Sequence, residues 1–93
     1  ETAFAHLDKL ACLQYVAPIF SASALAANQA WIDTLYMAMR PHVSGYAYQN
    51  YIDPNLTDWQ HAYYGVNLDR LIDVKTKYDP HRLFTFAQGI PAR

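Results

Sequence analysis

Four of the five prolines divide the 93-residue chain into stretches that each have to form their own secondary structure. Proline has no backbone N–H and disfavours helical backbone in the residue before it, so helices and central strands end close to it. The four lie at Pro18, Pro41, Pro54 and Pro80. We therefore expect one element of secondary structure to end near each of them.

The stretches before the second of these prolines predict a β-hairpin followed by a long helix. Residues 2–17 contain two alternating runs, TAFAH and LACLQYVA, and Leu7-Asp8-Lys9 between them is suited to a turn. Residues 22–40 predict a helix, because they are rich in alanine and keep apolar side chains at helical spacing. Those apolar residues are Leu25, Ile32, Leu35 and Met39.

The stretches after the second proline predict a strand, two helices and an extended tail. Residues 46–53, YAYQNYID, have the composition and alternation of a strand. A capping-box pattern begins a short helix at Thr57, and Gly65 ends it. A second helix follows, with an inner stripe of Leu68, Leu71, Ile72 and Lys75. The tail carries apolar anchors at Leu83, Phe84 and Phe86. The predicted fold class is therefore α+β.

The amount of apolar surface is high for a chain of this length. Hydrophobic residues make up 53% of the sequence and aromatic residues 15%. A domain this small leaves much of its area exposed, so it cannot easily bury that much apolar surface. We expect either that a partner covers part of this surface or that the chain is a piece of a larger protein. The absence of an initiator Met favours the second interpretation.

Charge and hydropathy argue against two classes of partner. The net charge is −1 and there is no basic block, which argues against nucleic-acid binding. No apolar run approaches the roughly 20 residues that a membrane-spanning helix needs. The first residues, ETAFAHLDKL, also lack the basic and apolar regions of a signal peptide. We therefore predict neither a nucleic-acid nor a membrane partner.

The histidines, glycines and cysteine do not form a known catalytic or metal-binding motif. The four histidines lie on different predicted elements without an i, i+4 pair, so no metal site is predicted. The three glycines are too far apart for a phosphate-binding loop. Cys12 is most simply interpreted as a small packing residue.

The tyrosine-rich segment 46–53 is the candidate for function. As a strand it would place Tyr46, Tyr48, Asn50 and Ile52 on one face and Gln49, Tyr51 and Asp53 on the other. A buried hydroxyl or amide needs a hydrogen-bond partner, so such a strand is not simply covering a core. Its two faces could meet a polar ligand and a reacting group. Alternatively it is an edge strand whose hydroxyls reach water, and the residues alone leave both interpretations open.

Three stretches resemble the C-terminal end of the berberine bridge enzyme-like family, which comprises FAD-linked oxidases of the vanillyl-alcohol-oxidase superfamily. They are YQNYID at 48–53, WQHAYYGVNLDRLIDVKTKYDPHRLF at 59–84 and QGIP at 88–91. The shared pattern runs from Tyr-x-Asn-Tyr through Tyr-Tyr-Gly-x-Asn and Asp-Pro to a closing Gln-x-Ile-Pro, in which Gly89 replaces the usual serine. Residues 1–45 fit more loosely, and Leu7 stands where the family's Phe-x-His-Arg motif has arginine.

The resemblance implies oxidation of an alcohol, sugar or natural product at FAD. A hydride would pass from the substrate to the flavin, a base would take the hydroxyl proton, and oxygen would be the final acceptor. By position in the motif, Tyr51 corresponds to the catalytic base, and Tyr48 and Asn50 lie beside the flavin. Gln49 is a substrate-side candidate, on periodicity more than on family precedent. A free phenol ionises only near pH 10, so stabilisation of the phenolate would have to come from elsewhere in the protein.

The resemblance also implies an assignment of domains and partners. Residues 1–45 correspond to the end of a substrate-binding domain, with the hairpin and long helix, and residues 46–93 to the family's C-terminal segment. FAD would be held mainly by a domain absent from this sequence. The expected partners are the N-terminal FAD-binding and substrate domains of the same protein and a small-molecule substrate, and the chain alone is expected to be inactive. The alternatives are a relative that binds a ligand without catalysis, and an independent module whose aromatic strand binds a partner.

Overall fold

The computed structural model describes residues 2–93, and its regular structure is helical. Three α-helices are present: α1 at Leu25–Met39, α2 at Trp59–Tyr64 and α3 at Leu68–Tyr78. Single turns of 3-10 helix lie at Ala22–Ala24, Arg40–His42 and Gly65–Asn67. No strand occurs within residues 2–93. No helix in that range combines the length and the apolar composition that crossing a bilayer requires.

The predicted β-hairpin over residues 2–17 and the predicted strand over residues 46–53 are therefore wrong, and so is the α+β fold class. The turn between the two runs does form, since the Lys9 N–H donates to the His6 carbonyl at 3.2 Å. Residues 11–20, however, have no regular backbone structure. Alternation predicts a strand only where a neighbouring strand supplies the hydrogen-bonded ladder, and the described chain places none beside these residues.

Backbone packing divides the chain into two compact units. One unit comprises the residues up to Leu10 together with Tyr46–Arg93, and the other is Ala11–Gly45. The predicted boundary between residues 45 and 46 assigns each part to a domain of a larger protein, and that assignment remains a prediction.

The Ala11–Gly45 unit is built around α1. The helix predicted over residues 22–40 is present, as α1 with a 3-10 turn at each end. The segment before it is attached by the Asn28 side chain, which donates to the Pro18 carbonyl at 2.8 Å. The rings of Tyr15 and Tyr36 also meet edge to face, with centroids 6.3 Å apart. No residue of α1 is fully buried, so the helix is only partly covered in this unit.

The other unit is built around α2 and α3, which are joined at Gly65. Ala62 and Tyr63 of α2 are each 1% exposed and are the only fully buried hydrophobic residues among those described. In α3 the predicted inner stripe is confirmed, since its four residues are all partly buried while their neighbours Asp69, Arg70, Asp73 and Val74 are exposed.

The tail after α3 packs through polar contacts instead of the predicted apolar anchors. Leu83, Phe84 and Phe86 are all exposed. At the end of the tail, the Arg93 N–H donates to the Thr76 hydroxyl at 2.9 Å, and the Arg93 guanidinium donates to Asp73 at 2.9 Å. The tail is therefore attached to α3 by hydrogen bonds and an exposed ion pair.

Candidate functional site

The tyrosine-rich segment forms a turn in which its key side chains come together. The Tyr51 N–H donates to the Tyr48 carbonyl at 3.0 Å, the hydrogen bond that closes a four-residue turn. The rings of Tyr48 and Tyr51 meet edge to face, with centroids 5.4 Å apart and planes at 75°. On a strand these two side chains would lie on opposite faces. The predicted catalytic tyrosine and a predicted flavin-side tyrosine are therefore in direct contact.

Asn50 completes a polar group on the same turn. Its side-chain N–H donates to the Tyr48 hydroxyl oxygen at 2.8 Å. That bond leaves the Tyr48 hydroxyl hydrogen and the Asn50 carbonyl oxygen available, because Tyr48 accepts and does not donate. Tyr51 is 56% exposed, and no described residue hydrogen-bonds its hydroxyl. The turn thus presents two phenols and one amide to an external partner.

Gln49, at the second position of this turn, carries an unpaired acceptor. Its side-chain carbonyl oxygen is buried and has no hydrogen-bond partner among the described residues. A buried polar group without a partner costs about 1–3 kcal/mol. A hydrogen-bond donor that reached this oxygen would therefore gain more binding free energy than one that meets an oxygen already hydrogen-bonded.

Both ends of the segment are attached to adjacent residues of α2. The Ala47 N–H donates to the Ala62 carbonyl at 2.9 Å, and the Asp53 N–H donates to the Tyr63 hydroxyl at 2.9 Å. Six residue steps fully extended would span roughly 20 Å, more than adjacent helical residues and one tyrosine side chain can bridge. The segment between the two anchors must therefore fold back, which explains the turn.

Gln88 from the tail closes a hydrogen-bond network around Asp53, which is partly buried at Asp53 and buried between Tyr63 and Gln88. Its side-chain N–H donates to the Asp53 carbonyl at 2.8 Å, and its side-chain oxygen accepts from the Tyr63 hydroxyl at 3.1 Å. Tyr63 is 1% exposed and Gln88 is 7% exposed. We call Tyr63 and Gln88 the Asp53 clamp. Sequence reasoning gave neither residue a role at the site, and the only available signal was their place in the shared motifs.

Residues 4–6 pack against the same segment. The His6 ring donates through Nε2 to the Tyr63 carbonyl at 3.0 Å, and His6 is buried. Its ring lies 4.9 Å from that of Tyr46, and Phe4 meets Tyr48 edge to face at 5.9 Å. His6 is therefore a packing residue that the α2 backbone holds in place. Within residues 2–93, no three His, Cys, Asp or Glu side chains come together as a metal site.

Two open cavities lie elsewhere in this unit. The smaller, of about 280 Å³, is lined by α2, α3 and the tail, and the larger, of about 440 Å³, includes Tyr64. Neither is lined by Tyr48, Asn50 or Tyr51. Burial, with a smaller contribution from the adjacent Tyr63, raises the pKa of the Tyr64 phenol. Tyr64 therefore keeps its proton and is poorly suited to act as a base.

Comparison with known proteins identifies the segment that contains the turn. Residues 47–91 match the sequence profile of the family described as "Berberine and berberine like". This segment belongs to that family. The resemblance found in the sequence is thereby confirmed, and we call residues 47–91 the berberine-like segment.

Relatives that align with nearly the whole chain are named as a FAD-linked oxidoreductase and as oxidases. The chain is 35% identical over 91 residues to the uncharacterized FAD-linked oxidoreductase YgaK of Bacillus subtilis, covering 98% of this chain and 20% of that protein. It is 33% identical over 108 residues to tetrahydroberberine oxidase of Berberis wilsoniae, again with 98% and 20% covered. It is 32% identical over 98 residues to the carbohydrate oxidase of Microdochium nivale, with 97% and 19% covered.

These matches also show how much of each relative corresponds to this chain. The chain spans about one fifth of the length of the curated relatives it matches. No solved structure matches the chain at a significant level. The berberine-like segment is therefore shared with one part of longer proteins.

Proposed function

We propose that the chain is the C-terminal part of a FAD-dependent oxidase. It would act in the transfer of a hydride from an alcohol, sugar or natural-product substrate to FAD, with oxygen as the final acceptor. The observation that supports this most directly is the turn that brings Tyr48, Asn50 and Tyr51 together on an exposed surface of the berberine-like segment. Relatives named as FAD-linked oxidoreductases and oxidases support the same class of reaction.

The unpaired groups of the turn fit the polar edge of a flavin. That edge carries carbonyl oxygens and an N–H, and the turn offers the Tyr48 hydroxyl hydrogen and the Asn50 amide. When bound, FAD would accept the hydride and pass both electrons to dioxygen, which leaves as hydrogen peroxide. Tyr48 and Asn50 would bind and orient the ring, and their mutual hydrogen bond would fix the direction of both groups.

Tyr51 would take the substrate's hydroxyl proton as the hydride leaves the adjacent carbon. Proton transfer by a positioned base contributes typically about 10²–10⁴-fold to rate. No described residue hydrogen-bonds the Tyr51 hydroxyl, so the groups that favour its phenolate would come from the rest of the protein. Gln49 would lie on the substrate side, where its unpaired oxygen would accept a hydrogen bond from the substrate.

The proposal includes the domains that this chain would join. Residues 1–45 would complete a substrate-binding domain, and residues 46–93 would pack against the FAD-binding domain. Exposed large apolar side chains such as Leu10, Phe20 and Phe84 offer the surface for such packing. FAD would be bound mainly outside this chain, so the 93-residue chain alone would be inactive.

The test replaces Tyr51 by phenylalanine in the complete protein. Substrate is first chosen from a panel of alcohols, sugars and alkaloids as one that reduces the wild-type flavin under anaerobic conditions. Tyr51→Phe should keep the flavin content and slow flavin reduction by at least about 100-fold, because the base is lost while the ring remains. Tyr78→Phe, which removes an exposed hydroxyl from α3, is the control and should reduce at the wild-type rate. Unchanged kinetics in Tyr51→Phe would refute the role.

A non-catalytic binding module is the second candidate. The observation that favours it is that Tyr51 is exposed and that Tyr48, Asn50 and Tyr51 line neither of the two cavities described above. In that case the complete protein would bind flavin or another ligand but produce no hydrogen peroxide with any member of the panel. Peroxide production with one of them would exclude this candidate.

A further inference from the structure

We propose that Tyr63 and Gln88, the Asp53 clamp, are positioning residues that hold Tyr51 in its reactive geometry. The inference rests on the proposed function, because it assigns these two buried side chains a role in the rate at which Tyr51 acts. Neither of them would touch the substrate or the flavin.

The clamp is hydrogen-bonded to both the backbone N–H and the backbone C=O of Asp53. The Asp53 N–H donates to the Tyr63 hydroxyl at 2.9 Å, and the Asp53 carbonyl accepts from Gln88 at 2.8 Å. The two side chains are also joined to each other at 3.1 Å. Because Tyr63 and Gln88 are buried and hydrogen-bonded to each other as well as to Asp53, the network fixes the direction of the chain at Asp53.

Only Ile52 separates the fixed residue from Tyr51. On the other side, the Tyr51 N–H is bonded to the Tyr48 carbonyl at 3.0 Å. The backbone is therefore held both at Tyr51 and at Asp53, two residues later. Few backbone torsions remain that could move the Tyr51 phenol. Loss of the clamp would release one of these two restraints and leave the other in place.

The network makes a geometric contribution that apolar packing would not supply. Removing one side chain of the clamp leaves its partners unpaired and therefore lowers the stability of the fold. Hydrogen bonds are also directional, and displacement of a reacting group by about 1 Å can cost on the order of 100-fold in rate. Loss of the clamp is therefore expected to lower the rate constant of flavin reduction even in molecules that remain folded.

The experiment uses Tyr63→Phe and Gln88→Met in the complete flavoprotein. Both variants keep the volume of the side chain and remove its hydrogen bonds to Asp53. The rate constant and the amplitude of anaerobic flavin reduction are measured at saturating substrate, well below the melting temperature. We expect the rate constant to fall by roughly tenfold to 100-fold while the full amplitude remains.

Two controls separate positioning from a general loss of structure. Tyr78→Phe removes an exposed tyrosine hydroxyl, and Lys75→Met breaks the partly buried ion pair with Asp79 without touching the clamp. Both should react at the wild-type rate constant, even if Lys75→Met lowers the melting temperature. If the clamp variants lose only amplitude, or match the wild-type rate constant, the positioning role is overturned.

A double-variant cycle distinguishes failure of this inference from failure of the proposed function. If the clamp acts through Tyr51, Tyr63→Phe should cause no further slowing in a protein that already carries Tyr51→Phe. If the effects of Tyr63→Phe and Tyr51→Phe on the logarithm of the rate constant simply add, the positioning role is overturned. The proposed role of Tyr51 as base would still stand. If Tyr51→Phe alone reacts like the wild type, the proposed function itself fails, whatever the clamp variants do.

Discussion

At Gly65 the backbone adopts a conformation that other residues reach only with strain. Its φ is +49° and its ψ is −129°, and it stands at the junction of α2 with the 3-10 turn that leads into α3. An added Cβ would lie 3.5 Å from the Ala5 side chain and 3.6 Å from the Tyr46 ring, which are ordinary contacts. The requirement for glycine therefore comes from the backbone torsion and not from space.

Gly65→Ala should destabilise the protein by about 1–3 kcal/mol, because alanine is strained at this torsion. The matched control is Gly45→Ala, where φ is not positive and the nearest atom to the new Cβ is 3.9 Å away on Arg40. That control should be neutral or slightly stabilising. Thermal unfolding of the complete protein measures both variants. Equal melting temperatures for the two would contradict the backbone explanation.

At the scale of elements, α3 ends in a charged cluster that sets the direction of the tail. The Asp79 carboxylate accepts from the Lys75 side chain and from the N–H groups of Leu83 and Phe84, at 2.8 and 3.1 Å for the two backbone donors. The Lys75 hydrogen bond, followed by the backbone donors, holds the pKa of Asp79 below its usual range, although burial opposes the shift. The ionised carboxylate is therefore the form that the folded state favours.

The contribution of Asp79 to stability should be lost in acid. Because its pKa is lower in the folded than in the unfolded state, the contribution is complete above the unfolded pKa, about 3.9. It declines as the pH falls below that value towards the folded pKa. Wild type should therefore exceed Asp79→Asn in stability by a constant amount above about pH 5, and the difference should shrink towards pH 3.

Denaturant unfolding at several pH values between 3 and 7 measures this difference. The control is Asp8→Asn, because Asp8 also pairs with a lysine, Lys9, but in an exposed position where solvent screens the interaction. Asp8→Asn should differ little from wild type at any pH. A difference between wild type and Asp79→Asn that stays constant down to pH 3 would exclude the linkage.

At the scale of the whole molecule, each unit buries little apolar surface. Among residues 2–93 only Ala62 and Tyr63 are fully buried hydrophobic residues, and large apolar side chains such as Leu10 and Phe20 are exposed. Ordering the backbone costs roughly 1–2 kcal/mol per residue, which so small a core does not offset. We propose that the remaining stability comes from surfaces that this chain meets in a larger protein.

The 93-residue chain produced alone should therefore lack a cooperative unfolding transition and should not retain FAD. Calorimetry, chemical denaturation and the absorbance of the purified chain test this directly. Aggregation, or co-purification with an N-terminal companion chain, would support the interpretation that the chain is part of an oxidase. A compact monomer with a sharp transition and no flavin would instead support the independent interaction module.

Local sequence was sufficient for the helices and for the family. The hydrogen bonds of α1 and α3 join residues four apart, so alanine content, apolar spacing and flanking prolines are enough to predict both helices. The inner stripe of α3 follows from the same local rules, and so does the placing of a glycine with positive φ at the end of α2. The motifs that identify the berberine-like segment can also be found in the sequence alone.

Only the tertiary structure decided the shape of the candidate site. Alternation between residues 46 and 53 predicted a strand, yet the segment folds into a turn whose side chains meet each other. The hydrogen bonds that cause this, within the Asp53 clamp and from it to Asp53, join residues 10, 25 and 35 positions apart. Periodicity cannot detect contacts at such separations, because it reports only which neighbours share a face. The identity of the polar residues was thus set by the sequence, and their grouping by long-range attachment to α2 and the tail.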